Sequence, residues 1–184
     1  MEQDLLGPRY PRSVLTGTAS QAFATVLRFH LAGERVLDPT FGEGISWEAV
    51  RPLPAGLVAT DAKRGDDLFS LAAGHPDWLD RFDLVFYDPP YFVDAGDGDD
   101  PREAKYGGFG HSPATLARYM VAVHDLAKLL RPHGKIIVKC GDQYHVKSRR
   151  LWLHHLEWCQ VMAGSFALVD FYVYPFHHVS PTAY

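Results

Sequence analysis

The chain has 184 residues, is 47% apolar and 22% charged, and carries 18 basic against 22 acidic residues for a formal net charge of −4. That length suits one domain with a buried core, the apolar share excludes a disordered tail, and the charge excludes a generally basic nucleic-acid coat while leaving room for a local basic patch. Two cysteines, Cys140 and Cys159, exclude a disulfide scaffold and a four-cysteine zinc site.

Residues 1–17, rich in Pro, Gly and Arg, read as an N-terminal arm, and residues 18–184 as a single domain. Thr18 to His30 places Ala22, Val26 and Phe29 on one helical stripe, with Thr18 or Ser20 as N-cap and Gly33 as the stop. Arg35 to Asp38 is a short apolar run ending in an acid, a buried strand. A glycine-bearing turn follows, then a short helix around Ile45 to Arg51. Gly56 to Thr60 reads as a second strand running into Asp61, Asp67 to Leu79 as a helix, and Phe82 to Tyr87 as a third strand running into Asp88-Pro89-Pro90-Tyr91. Asp94 to Gly110 is a long aperiodic loop, and such loops in compact domains are often functional. Pro113 to Leu130 reads as an amphipathic helix. The turn Arg131-Pro132-His133-Gly134 leads into the strand Lys135 to Cys140, followed by a helix from Val146 to Met162 and a last strand from Phe166 to Tyr174. Strands alternating with helices predict an α/β fold with a mostly parallel sheet, whose ligands sit at the carboxyl ends of strands.

Three motifs fall at such ends. In Asp38-Pro39-Thr40-Phe41-Gly42-Glu43-Gly44, the two glycines permit close approach of the backbone to a ligand. The dinucleotide fingerprint is incomplete, because the third glycine position holds Trp47, so a pyrophosphate cradle is disfavoured. Asp61 can accept two hydrogen bonds from a ribose diol, or cap a loop. Asp66 or Asp67 can accept from an adenine amino group, or cap the next helix. In Asp88-Pro89-Pro90-Tyr91 the prolines fix the backbone and remove two donors. The Asp88 carboxylate and the Pro89 carbonyl then make an acceptor-only corner beside an aromatic ring, suited to a planar group bearing an exocyclic NH₂.

On these residues the chain resembles the class I S-adenosylmethionine-dependent methyltransferases that act on nucleic-acid amino groups. Asp38 to Gly44, with Pro39, Thr40, Phe41 and Gly42, is similar to the motif that wraps the methionine part of the cofactor, Asp61 to the acid on its ribose, and Asp67 (or Asp66) to the acid near its adenine. Asp88-Pro89-Pro90-Tyr91 is similar to the family's catalytic motif, Ala19 to Phe29 to its N-terminal cofactor helix, and Leu129 to Lys135 to the turn before its fifth strand. The resemblance runs from about Thr18 to Tyr174. It implies a Rossmann-like fold, a mostly parallel central sheet flanked by helices. It also implies S-adenosyl-L-methionine as cofactor. Only four residues separate Asp61 from Asp66, so the helix usually placed there, and the third strand with it, are expected reduced or missing; with ten residues after Tyr174, the final antiparallel strand is expected short or absent. The order of the motifs excludes the permuted DNA methyltransferases, and no separate target-recognition domain is expected within these residues.

The reaction so implied is direct methyl transfer to an exocyclic amino nitrogen of a base, expected in DNA at adenine N6 or cytosine N4. Asp88 and the Pro89 carbonyl would accept from the NH₂ and Tyr91 would stack on the base, which must be flipped or single-stranded. An RNA base, at adenine N6 or guanine N2, is the alternative substrate. Protein glutamine methylation and a non-catalytic binding subunit rank lower: the glutamine enzymes usually carry Asn at the place of Asp88, and a non-catalytic subunit has no need of Asp88 and Tyr91. Tyr106, Phe109 and His111 are candidate base contacts. Arg9, Arg12, Lys139, Lys147, Arg149 and Arg150 are candidate phosphate contacts, or solvated charge. His154-His155 and His177-His178, with the two cysteines, match no standard zinc spacing, so no metal is expected. The expected partners are nucleic acid and a second copy or recognition subunit, and no membrane. The start MEQDLLGPRY lacks the basic and apolar regions of a signal peptide, and Val161 to Phe176 is interrupted by Asp170 and by Gly164-Ser165, so a cytoplasmic protein is expected.

Overall fold

Phe82-Asp83-Leu84-Val85-Phe86-Tyr87 is rich in β-branched and aromatic residues, and all six are buried. A strand buried on both faces belongs inside a parallel sheet. In a computed structural model of the chain, which describes residues 13–31, 33, 35–61, 65–90, 113–145 and 149–175, this strand is β3 (Phe82–Tyr87). It lies between β1 (Arg35–Asp38) and β4 (Leu130–Val138), and β2 (Gly56–Ala59) pairs with the far side of β1. All these pairings are parallel, in the order β2-β1-β3-β4. The expected α/β layering with a parallel sheet is therefore present. Among the described residues no further strand joins this sheet, so β4 and β2 are its edges.

The described residues group into two compact units, one drawn from 33–43 and 54–168, the other from 13–31, 44–53 and 169–175. The first holds the sheet. Its core joins Leu37, Phe82, Val85 and Tyr87 to Leu116 and Met120 of α3 (Pro113–Val121), Val123 and Leu126 of α4 (Val123–Ala127), and Trp158 of α5 (His154–Met162). Tyr87 is fully buried. Its hydroxyl donates to the Tyr119 carbonyl at 2.9 Å and its ring meets Trp158 edge-on.

In the second unit α1 spans Ala19–His30, and Thr18 is its N-cap. Thr18 Oγ1 accepts the Gln21 N–H at 3.2 Å, and Gln21 Oε1 accepts the Thr18 N–H at 2.9 Å. Of the expected stripe, Ala22 and Val26 are buried, with Phe23 and Leu27 beside them, while Phe29 is exposed. Phe23 packs edge-on against Trp47 at 5.0 Å, which gives the bulky residue at the third glycine position a core role.

Five elements depart from expectation. The helix over 67–79 is broken into a 3-10 turn at Leu68–Ser70, α2 (Leu71–Gly74) and a second 3-10 turn at Pro76–Trp78. Pro76 disfavours helical geometry at His75, which sits at φ −129°, ψ 69°. The helix over 113–130 is two helices meeting at Ala122, and Leu130 already belongs to β4. The turn Arg131 to Gly134 is an irregularity within β4, with His133 at φ 65° and the register shifting between Phe82 and Leu84. The helix over 146–162 begins only at His154. Before it, β5 (Gln143–His145) and β6 (Arg150–Trp152) form an antiparallel pair. The expected strand Phe166 to Tyr174 is not formed. Among the described residues it makes a single bridge, Val14 to Val173, and Leu168 and Val169 are exposed. Alternating apolar residues need a ladder partner to become a strand, and among the described residues none pairs with this segment beyond that bridge. No helix of the described residues is long and apolar enough to cross a membrane.

Candidate functional site

The carboxyl ends of β1, β2 and β3 are tied together by hydrogen bonds from the three motifs. Asp38, 1% exposed, closes an Asx turn: Oδ1 accepts the Thr40 N–H at 2.8 Å and the Thr40 hydroxyl at 3.2 Å. The Thr40 hydroxyl oxygen in turn accepts the backbone N–H of Asp88 at 2.9 Å. The Thr60 N–H donates to the Asp38 carbonyl at 2.9 Å, and the Phe41 N–H to the Thr60 carbonyl at 3.1 Å. Asp61 Oδ2 accepts the Gly42 N–H at 2.9 Å. Gly42 needs its lack of a side chain, because its φ is 54°. A Cβ there would meet nothing nearer than Asp61 Oδ2 and the Thr40 carbonyl, both at 3.9 Å, so the loop backbone stands open to close approach. Gly44, at φ 74°, starts the 3-10 turn Ile45–Trp47. Pro39 is buried; Phe41 is half-buried.

The structure therefore brings Asp38, Thr40, Phe41, Gly42, Asp61 and Asp88 together. Pro89 is buried and Pro90 half-buried behind Asp88. Tyr91, the loop 94–110, Tyr106, Phe109, His111, Arg9, Arg12, Lys147, His177 and His178 lie outside the described residues.

Lys139 departs from its expected part. Its ammonium reaches Asp88 Oδ2 at 2.6 Å, with the two side chains 35% and 19% exposed. The register explains the pair. Tyr87 lies opposite Val138, the Lys139 N–H donates to the Tyr87 carbonyl at 2.9 Å, and so Asp88 and Lys139 occupy adjacent places just past the paired ends of β3 and β4. Next along the chain, burial pushes the Cys140 thiol up to about 12, and Asp142, Cys159 and Asp88 push the same way. A thiol so placed is not a thiolate nucleophile.

Asp67 adopts the capping alternative. Its carboxylate accepts the Phe69 N–H at 3.0 Å and the Ser70 hydroxyl at 2.6 Å. These bonds, the Ser70 hydroxyl first, hold it below the usual carboxylate range, against a smaller cost of burial and with help from Arg118. Asp66 meets His75 Nε2 at 3.3 Å. Arg149 and Arg150, just before and at the start of β6, are exposed. His155 is taken up by Asp142 at 2.7 Å, and His154 meets Glu157 at 3.2 Å.

Sequence reasoning passed over Asp83. Only 4% of its side chain is exposed, and it meets Arg131 Nε at 2.7 Å, Arg35 at 3.6 Å and the Arg35 N–H at 3.0 Å. Burial pushes its carboxyl up, but the Arg35 N–H and the two guanidiniums outweigh this and hold it below the usual range. An acid inside an otherwise apolar strand was the available signal. It sits at the start of β3, opposite the end that carries Asp88, so its part is structural.

No family model, no curated protein and no solved structure matches this chain.

Proposed function

We propose that the chain is an S-adenosylmethionine-dependent methyltransferase acting on an exocyclic amino nitrogen of a nucleic-acid base, in DNA at adenine N6 or cytosine N4, on a Rossmann-like core. The observation that carries this reading is the chain Asp38–Thr40–Asp88, which locks the glycine loop to the acid of the acceptor corner through one hydroxyl. A cofactor loop and a catalytic acid must keep a fixed spacing for in-line group transfer, and a direct hydrogen bond supplies it.

The residues present suit the cofactor. Gly42 leaves the loop backbone open to close approach, and Asp61 offers an acceptor-only carboxylate at the end of β2, the chemistry a ribose diol requires. The bound cofactor supplies an electrophilic methyl group on a sulfonium. Asp88 accepts a hydrogen bond from the amino group and draws its lone pair out of the ring. The Pro89 carbonyl accepts the other N–H, and Tyr91 stacks on the base. With the Cys140 thiol held protonated, a covalent route through it is disfavoured, and catalysis rests on positioning and electrostatics. Arg149 and Arg150 give a chain of net charge −4 local positive charge for phosphates.

The test is transfer of a labelled methyl group from S-adenosylmethionine into DNA, RNA and protein pools, followed by base analysis. N6-methyladenine or N4-methylcytosine in DNA is expected, lost in Asp88→Ala while cofactor binding persists. Label only in RNA or in protein, or an Asp88→Ala variant as fast as the parent, overturns the reading.

A further inference from the structure

We propose that Lys139 is a positioning residue: its ammonium, on Asp88 Oδ2 at 2.6 Å, fixes the rotation of the carboxylate that meets the substrate amino group. The inference rests on the reading of Asp88 above. It goes beyond it by giving a function to a residue for which the sequence suggested a phosphate contact or solvated charge.

Three observations support it. The backbones on either side of the pair are fixed. The Asp88 N–H is held by the Thr40 hydroxyl and the Lys139 N–H by the Tyr87 carbonyl, so the one rotation left to set at the carboxylate is that of the side chain. A charge-assisted bond of this length sets it, and an ammonium is a compact donor that can do so at one oxygen. A carboxylate has about four lone-pair positions, so the ion pair and an incoming N–H are compatible. An ammonium already neutralised by a carboxylate is also a poor grip for phosphate.

The two parts for Lys139 separate kinetically. A phosphate contact acts on binding, so its loss raises KM and reduces the salt dependence. An orienting contact acts on the chemical step, so its loss lowers kcat. In Lys139→Met, kcat for methyl transfer is expected to fall by about tenfold to hundredfold, the range found where an orienting partner is lost. KM for the nucleic acid, cofactor affinity and Tm stay near those of the parent. Lys139→Arg, which keeps a cation and a donor, recovers most of kcat. If Lys139→Met does not fold, Lys139→Gln carries the same comparison. A raised KM with kcat intact, or an unchanged kcat, overturns the positioning role while leaving the proposed function standing. A parent protein that transfers no methyl group to any pool overturns both.

Discussion

The hydroxyl of Thr40 accepts the backbone N–H of Asp88 at 2.9 Å while donating to Asp38 at 3.2 Å. One side chain thus joins two loops 48 residues apart in sequence. Thr40→Val keeps the shape and removes both bonds, leaving a partly buried N–H without its acceptor. It is expected to cost about 1–3 kcal/mol in urea unfolding and to lower kcat for methyl transfer. Thr40→Ser restores the hydroxyl and most of both losses. If Thr40→Val matches the parent in stability and rate, the loops are not coupled through this residue.

Asp61 joins the same loop from the other side through the Gly42 N–H. Hydrogen bonds to a charged acceptor are worth roughly 1.5–3 kcal/mol. Titration calorimetry with S-adenosylhomocysteine is therefore expected to show Asp61→Ala binding about tenfold to hundredfold more weakly. Asp61→Asn keeps an acceptor for Gly42 but loses the charge, and should fall between. Equal affinity in all three proteins would remove Asp61 from the cofactor site.

The first three strands are legible because each is an apolar run closed by an acid or a turn: Arg35–Asp38, Gly56–Ala59 and Phe82–Tyr87 all form. What failed depended on partners that lie outside the local pattern. Phe166 to Tyr174 alternates well, yet makes only the Val173 bridge among described residues. The stretch after Val146 looked helical as far as Met162, but Arg150–Trp152 pairs with Gln143–His145 instead. The site followed the same rule. Asp38, Asp61 and Asp88 were found because each closes a strand. The bond from Lys139 to Asp88 spans 51 residues and becomes visible only once the β3–β4 register is known. The pattern around Asp67 suits two parts equally, and only its bonds to the Phe69 N–H and the Ser70 hydroxyl distinguish the cap.

At the opposite end of β3, Asp83 and Gly33 form one structural lock. A Cβ on Gly33 would collide with the Asp83 carboxylate, which its arginine partners prevent from moving aside. Gly33→Ala is expected to destabilise by about 1–3 kcal/mol, as overpacking does. Asp83→Asn tests the charge. The folded carboxyl titrates below its ordinary value of 3.8, so its stabilising effect is complete above that value and is lost as pH falls through the lower, folded one. The parent protein should therefore lose stability on acidification in that window, and Asp83→Asn should show a shallower loss. Identical acid unfolding profiles would refute the lock.

Asp67 allows a sharper separation of structure from function. Its carboxylate starts the 3-10 turn Leu68–Ser70, accepting from Phe69 and Ser70 at once. Removing such a cap costs about 1 kcal/mol. Asp67→Ala should therefore lower the unfolding midpoint, and Asp67→Ser, a good cap without charge, should recover much of it. Because the Ser70 hydroxyl and the Phe69 N–H hold this carboxyl below its ordinary value, the cap's charged contribution is present at neutral pH and fades as pH falls through the lowered value. A residue that only caps leaves cofactor affinity untouched in both variants. If Asp67→Ser folds as well as the parent yet binds S-adenosylhomocysteine more weakly, the carboxylate has a second task, and the contact to adenine suggested by the sequence is the one it performs.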